Sequence, residues 1–242
     1  KRDGMLVVAN RIYEQVFDAD WIETTQAYLR TLEGGFMLSS KLCNRDVYIL
    51  IDQSATMDKV DPGKSVSRWQ LLTENVEGDV KNLMRDHLGR KVCDKVTIYL
   101  FSRDRKGRKF SIDANSNIRA SVFEENFPDA NTFITKTFAA CIEDWKQAPK
   151  TDTNQNGAFI LIYTDGMFDD RPEFEQQVRQ LSDELENEED LKIIMIGVGD
   201  DVRSNVEPFL DLDFNLSQNK NNIFVFDLAD EMEDIIGLLD RQ

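Results

Sequence analysis

The chain has 242 residues, of which 45 are acidic and 29 are Lys or Arg, giving a formal net charge of −16. A chain of this length buries about 70% of its unfolded surface and needs no disulfide or metal staple to hold a core. Its acidic excess opposes phosphate backbones, which excludes nucleic-acid binding over the whole surface, and no apolar run reaches the ~20 residues that span a bilayer.

Taken in chain order, the first segment differs in character from the rest. Tyr13, Val16, Phe17, Trp21, Ile22, Tyr28, Leu29 and Leu32 recur at helical spacing until Gly34-Gly35 breaks the pattern. This predicts an N-terminal helical extension over 1–42, followed by the main domain over 43–242. The stretch Asn10-Arg11-Ile12-Tyr13-Glu14-Gln15-Val16-Phe17, with Trp21-Ile22, resembles the segment that follows AAA-like ATPase regions in bacterial signalling proteins. The opening residues hold too short an apolar stretch for a signal peptide. With no Met at position 1, the chain is expected to be a piece of a longer cytoplasmic protein.

From residue 47 onward, apolar runs alternate with helical patterns. Val47–Ile51, Val96–Phe101, Phe159–Tyr163, Ile193–Val198 and Ile223–Phe226 are continuous and rich in β-branched and aromatic residues. Runs without polar alternation belong to strands buried on both faces, as in parallel sheets. Between them, Ser67 to Leu88, Thr135 to Trp145, Pro172 to Leu185 and Ala229 to Leu239 carry helical periodicity. The alternation predicts an α/β fold: a doubly wound, Rossmann-like, mostly parallel sheet with helices on both faces. The basic run Arg103 to Lys109 with its central Gly107 predicts a hairpin turn into a short edge strand at Phe110-Ser111-Ile112, its charges guarding the edge. A docking patch for an acidic partner is the alternative for this run. The acidic run Asp183 to Asp190 is expected to be a solvated helix end.

Residue counts remove several chemistries. The single histidine, His87, precedes Leu88-Gly89, where a helix is expected to end and an imidazole complements the helix dipole. That leaves nothing for a Ser-His-Asp triad or a histidine-rich metal site. Cys43, Cys93 and Cys141 are far apart and form no CxxC pair, as expected of reduced core cysteines.

Open α/β sheets bind ligands beyond the carboxyl ends of their strands. There, the first strand ends in Asp52-Gln53-Ser54-Ala55-Thr56, one carboxylate and two hydroxyls at alternate positions. The strand at Phe159–Tyr163 ends in Thr164-Asp165-Gly166, and Thr132 precedes the helix that opens at Thr135. An all-oxygen set of this kind suits a hard cation such as magnesium, which takes oxygen ligands at about 2.0–2.1 Å. With few carboxylates the ion stays under-neutralised and attracts a carboxylate from outside.

The pattern Asp52-x-Ser54-x-Thr56, then Thr132, then Asp165-Gly166, resembles the metal-ion-dependent adhesion site of von Willebrand factor type A (vWA) domains, over about Asp46 to the C-terminus. The resemblance implies a doubly wound sheet with one short antiparallel edge strand, which suits Phe110-Ser111-Ile112. It implies Mg2+ (or Mn2+ or Ca2+) held directly by Ser54 and Thr56, directly or through water by Asp52 and Asp165, and by Thr132 in at least one state. It further implies a non-enzymatic interaction module whose protein partner presents an Asp or Glu. Three positions depart from the pattern: Thr56 where serine is commoner, Ala55 where glycine is frequent, and Ala130-Asn131 where a glycine pair is usual.

Two other readings belong beside it. Ser54 and Thr56 can cap a turn and Asp165 can form an Asx-turn with Gly166 in a scaffold with no functional metal site. Alternatively, Asp52-x-Ser54-x-Thr56, Thr164 and Gly199-Asp200-Asp201 resemble motifs of haloacid-dehalogenase-type phosphatases, with Asp52 as nucleophile. Against that enzyme, Ser54 stands where a general-acid aspartate is required, and Lys192 begins a strand instead of ending one.

Overall fold

Each expected apolar run forms a strand, and consecutive residues on it face opposite helical layers. The computed structural model describes residues 41–85, 91–217, 221–232 and 234–240. Residues 1–40 of the helical extension expected over 1–42, and the expected role of His87, therefore lie outside the described residues.

The strands are β1 (Asp46–Asp52), β2 (Val96–Phe101), β3 (Arg108–Ile112), β4 (Ala158–Thr164), β5 (Leu191–Gly197) and β6 (Phe224–Leu228). They form one sheet in the order β3-β2-β1-β4-β5-β6. All neighbours are parallel except β2 and β3, which pair antiparallel, so the basic turn leads into an edge strand as expected. Along β1, Val47, Ile49 and Ile51 pack toward one layer while Tyr48 and Leu50 pack toward the other, the period-2 alternation of a strand covered on both sides.

The first layer is built by α1 (Arg68–Met84), through Leu72, Val76 and Val80, and by α6 (Ile235–Asp240), through Ile235 and Leu239. The second comes from α2 (Thr135–Gln147), α3 (Arg171–Glu184) and α5 (Glu207–Ser217), through Phe138, Cys141, Phe174, Val178, Phe209, Leu212 and Leu216. A short α4 (Asp200–Arg203) precedes α5. All three cysteines are free, Cys93 and Cys141 buried and Cys43 half-buried.

Two helical expectations need correction. The last helix begins at Ile235 and not at Ala229, because the chain turns after β6 (Met232 N–H donates to Leu228 O at 3.2 Å) and Asp234 Oδ1 then accepts the Gly237 N–H at 2.7 Å. Helix α5 was not anticipated. Its dense Phe and Leu residues mimic strand alternation, whereas the buried positions 209, 212 and 216 lie on one helical face.

The strand order places β1 and β4 side by side at the centre, with the chain leaving them toward opposite edges of the sheet. That is a topological switch point, where the loops diverge and open a crevice at the carboxyl ends. The segments after Asp52 and Thr164 border it.

Candidate functional site at the carboxyl edge of the sheet

Asp52 ends β1 fully buried, and its two carboxylate oxygens are separately engaged. Oδ1 accepts the Ser54 N–H at 2.8 Å, an Asx-turn that sends the chain out of the sheet, and Oδ2 accepts the Thr164 hydroxyl at 2.7 Å. Thr164 Oγ1 in turn accepts the Gly166 N–H at 2.9 Å. The ends of β1 and β4 are thus tied together through one threonine. Burial, with the Asp165 carboxylate beside it, pushes the Asp52 carboxyl above its ordinary range, against the hydrogen bonds from Ser54 and Thr164.

Ser54 and Thr56 face each other, with Ser54 Oγ and Thr56 Oγ1 2.9 Å apart. The turn after β1 is a single 3-10 turn over Ala55–Asp58, and the Ser54 side chain makes no capping hydrogen bond to it. Turn capping therefore does not account for this serine. The Asx-turn expectation does hold at Asp165, whose Oδ1 accepts the Met167 N–H at 3.2 Å beside Gly166 at φ 80°.

Thr132 is buried, and its backbone is clamped by Asp169. Its N–H donates to Asp169 Oδ2 at 3.0 Å, and its carbonyl accepts the Asp169 N–H at 2.8 Å. The loop before it lies against the turn after β1, where Ala55 N–H donates to Ala130 O at 3.1 Å and Asp129 N–H to Gln53 O at 2.8 Å. No hydrogen bond to the Thr132 hydroxyl is present among the described residues. Ala130 adopts φ 61°, the left-handed conformation that glycine enters without strain. The departure from the glycine pair thus falls on a position whose backbone favours glycine.

Sequence reasoning missed Arg68, the first residue of α1. Its side chain is fully buried. Nη1 donates to Asp165 Oδ2 at 3.0 Å, Nε and Nη2 fork onto Asp61 at 2.9 and 2.5 Å, and Nη2 also reaches Asp201 Oδ2 at 2.9 Å. The hydrogen bonds from Arg68 hold the Asp61 carboxyl below its ordinary range. Gly199, at φ 88°, makes room for this cluster, since a Cβ there would meet Arg68 Nε at 2.3 Å. Gly199-Asp200-Asp201 therefore flanks a buried guanidinium. The one available signal was an arginine at the N-terminus of a helix, the end where the macrodipole disfavours a cation.

Lys192, the second residue of β5, sits at the amino edge of the sheet, where its Nζ donates to Asn222 O at 2.8 Å. It cannot serve chemistry at Asp52, which ends β1 at the carboxyl edge.

The site as a whole offers two buried carboxylates and three hydroxyls from three loops. Among the described residues no group of three or more His, Cys, Asp and Glu is placed to hold a metal, so Ser and Thr oxygens would have to supply most of a coordination shell. Such a donor set fits a hard divalent cation and not a soft one.

No family model matches the chain, nor does any curated protein. Among solved structures, the SpRpn10 VWA domain superposes with a TM-score of 0.50 at 12% identity, covering 82% of this chain and 95% of that one. The chain has the Rossmann-like fold of a vWA domain. BatB from Bacteroides thetaiotaomicron is similar at TM-score 0.48 and 14% identity, over 81% of this chain and 96% of its own. Proximal thread matrix protein 1 from the mussel byssus, solved with a zinc-occupied MIDAS motif, is similar at TM-score 0.42 and 14% identity, over 83% of this chain and 46% of its own. On this vWA frame, the five residues singled out in the sequence lie on the segments that leave β1 and β4 or precede α2. Among the described residues no helix is long and apolar enough to cross a membrane.

Proposed function

We propose that this vWA-fold domain is a metal-dependent protein-interaction module within a larger intracellular signalling or assembly protein. Asp52, Ser54, Thr56, Thr132 and Asp165 would hold a magnesium ion, and a partner would supply an Asp or Glu to it. The observation that carries this reading is the pair of facing hydroxyls, Ser54 and Thr56, beside a buried carboxylate whose charge is penalised by burial and by Asp165. A divalent cation supplies positive charge that offsets both penalties and attracts an external carboxylate.

The chain's own residues set how strongly that attraction acts. Asp52 is aimed by the Ser54 N–H and the Thr164 hydroxyl. Asp165 shares its charge with Arg68, so it neutralises less of a neighbouring cation than a lone carboxylate would. Two carboxylates do no more than balance a divalent cation, and the hydroxyls add no charge, so a loaded site leaves a coordination position for an external carboxylate. An acidic partner would then be recognised locally although the chain as a whole is acidic.

Retention of binding proteins on the immobilised chain tests the partner claim. Capture is expected in magnesium and is expected to be lost in chelator and on Thr56→Ala. Capture indifferent to both would overturn the metal-dependent reading in favour of a plain scaffold.

A further inference from the structure

Beside the turn that leaves β1 lies a cavity of about 550 Å3 whose lining includes Gln53, Arg103, Arg105, Lys106, Arg108 and Phe127. It holds four cationic side chains against two carboxylates, Glu125 and Asp129, in a chain of net charge −16. Asp129 pairs with Arg103 at 2.7 Å, and Arg108 bonds to Asn126. Arg105 and Lys106 are exposed, and they act on Asp129 and Asp144 by charge alone, with no close ion pair to either. The backbone carrying them is fixed. A Cβ at Gly107 would meet Leu100 O at 2.0 Å, Gly107 N–H donates to Thr137 Oγ1 at 2.9 Å, and Phe133 N–H donates to Ser102 O at 2.8 Å. At the rim, Phe127 is 71% exposed, and its carbonyl accepts from Gln53 Nε2 at 2.7 Å.

We propose that this basic groove is a docking track for an acidic peptide segment of the partner, continuous with the carboxylate that reaches the metal. The proposal rests on the metal-dependent reading above. The shared wall supports it, since Gln53 lies between Asp52 and Ser54 and also lines the groove. An extended chain advances about 3.3 Å per residue, so acidic residues a few positions from the metal-bound one would run along the wall that Gln53 shares with the groove. Phe127 offers an aromatic surface of the kind that anchors interfaces. Charge complementarity of this sort governs association and partner choice, and it weakens with salt.

Fluorescence anisotropy with a labelled ten-residue glutamate-rich peptide, run in magnesium and in chelator, tests the track. A glutamine peptide of equal length and an oligothymidylate serve as controls. Reversing both exposed cations, Arg105→Glu with Lys106→Glu, is expected to weaken the glutamate peptide about tenfold or more. The magnesium-induced rise in melting temperature should stay as in wild type. Arg105→Gln with Lys106→Gln is the milder variant and should give a smaller loss in the same direction. Peptide binding that chelator abolishes and charge reversal leaves unchanged would overturn the track while the metal reading stands. Binding lost on charge reversal but indifferent to chelator would support the track and overturn the metal-dependent reading. Equal or tighter binding of the oligothymidylate would overturn the assignment of an acidic peptide.

Discussion

Ala130 holds a left-handed φ of 61° directly against the turn that carries Ser54. A residue with a Cβ costs roughly 1–2 kcal/mol there, while glycine gives back about 0.4–1 kcal/mol through its freer unfolded chain. Ala130→Gly is therefore expected to stabilise the domain slightly, raising its melting temperature by roughly 2–4 °C per kcal/mol gained. A lowered melting temperature would contradict the strain. Asp52, Ser54, Thr56 and Asp165 were legible in the sequence because each stands within a few positions of a buried strand's end. In the sequence Thr164 fits only a phosphatase-like motif, and its role in aiming Asp52 emerges only when β1 and β4 pair. Asp169, which clamps Thr132 from 37 positions away, carries no local signal at all.

Among elements, α1 joins the site to the core. Its start is encoded locally: Ser67 and Gln70 form a capping box, Ser67 N–H donating to Gln70 Oε1 at 3.1 Å and Gln70 N–H to Ser67 Oγ at 3.4 Å. Arg68, one residue on, serves tertiary structure instead, as the counter-charge for Asp61 and Asp165. Arg68→Leu leaves two buried carboxylates uncompensated and should cost about 3–5 kcal/mol, which denaturant unfolding would read directly. A loss under 1 kcal/mol would show that the cluster is dispensable.

The other end of the same helix carries a pH signature. Tyr163 donates its hydroxyl to Asp79 at 2.5 Å, while burial, aided by the Asp234 charge, pushes Asp79 from its ordinary 3.8 to about 6. The folded protein then retains a proton between about pH 4 and 6 that the unfolded chain releases, so this group's contribution to stability falls as pH rises through that window. Asp79→Asn is free of the loss, and at about 1.4 kcal/mol per pH unit it should gain roughly 3 kcal/mol over wild type at pH 7.5 and little at pH 4. An equal difference at both pH values would contradict the titration. The α2 start shows coupling in another form, because the N–H groups of Ile134 and Thr135 are satisfied by Asp170, from the loop after β4, at 3.0 and 2.8 Å. The loops that carry Thr132 and Asp165 are thereby braced to each other.

At the scale of the whole molecule, the sheet was legible because strands covered on both faces leave unbroken apolar runs. Its edge strand was legible from the basic turn before it. The start of α6 and the whole of α5 were not, since a side-chain cap and a Leu- and Phe-rich stretch decide them through tertiary packing. What the fold contributes to function is the switch point, which sets two carboxylates and three hydroxyls at one edge of an acidic molecule. Isothermal titration of magnesium into wild type, Asp52→Ala and Thr56→Ala tests that claim most directly. Thr56 is exposed, so its variant keeps the fold intact. Saturable binding by wild type and none by either variant is the predicted result; binding of equal strength in all three, or none in wild type, would contradict it.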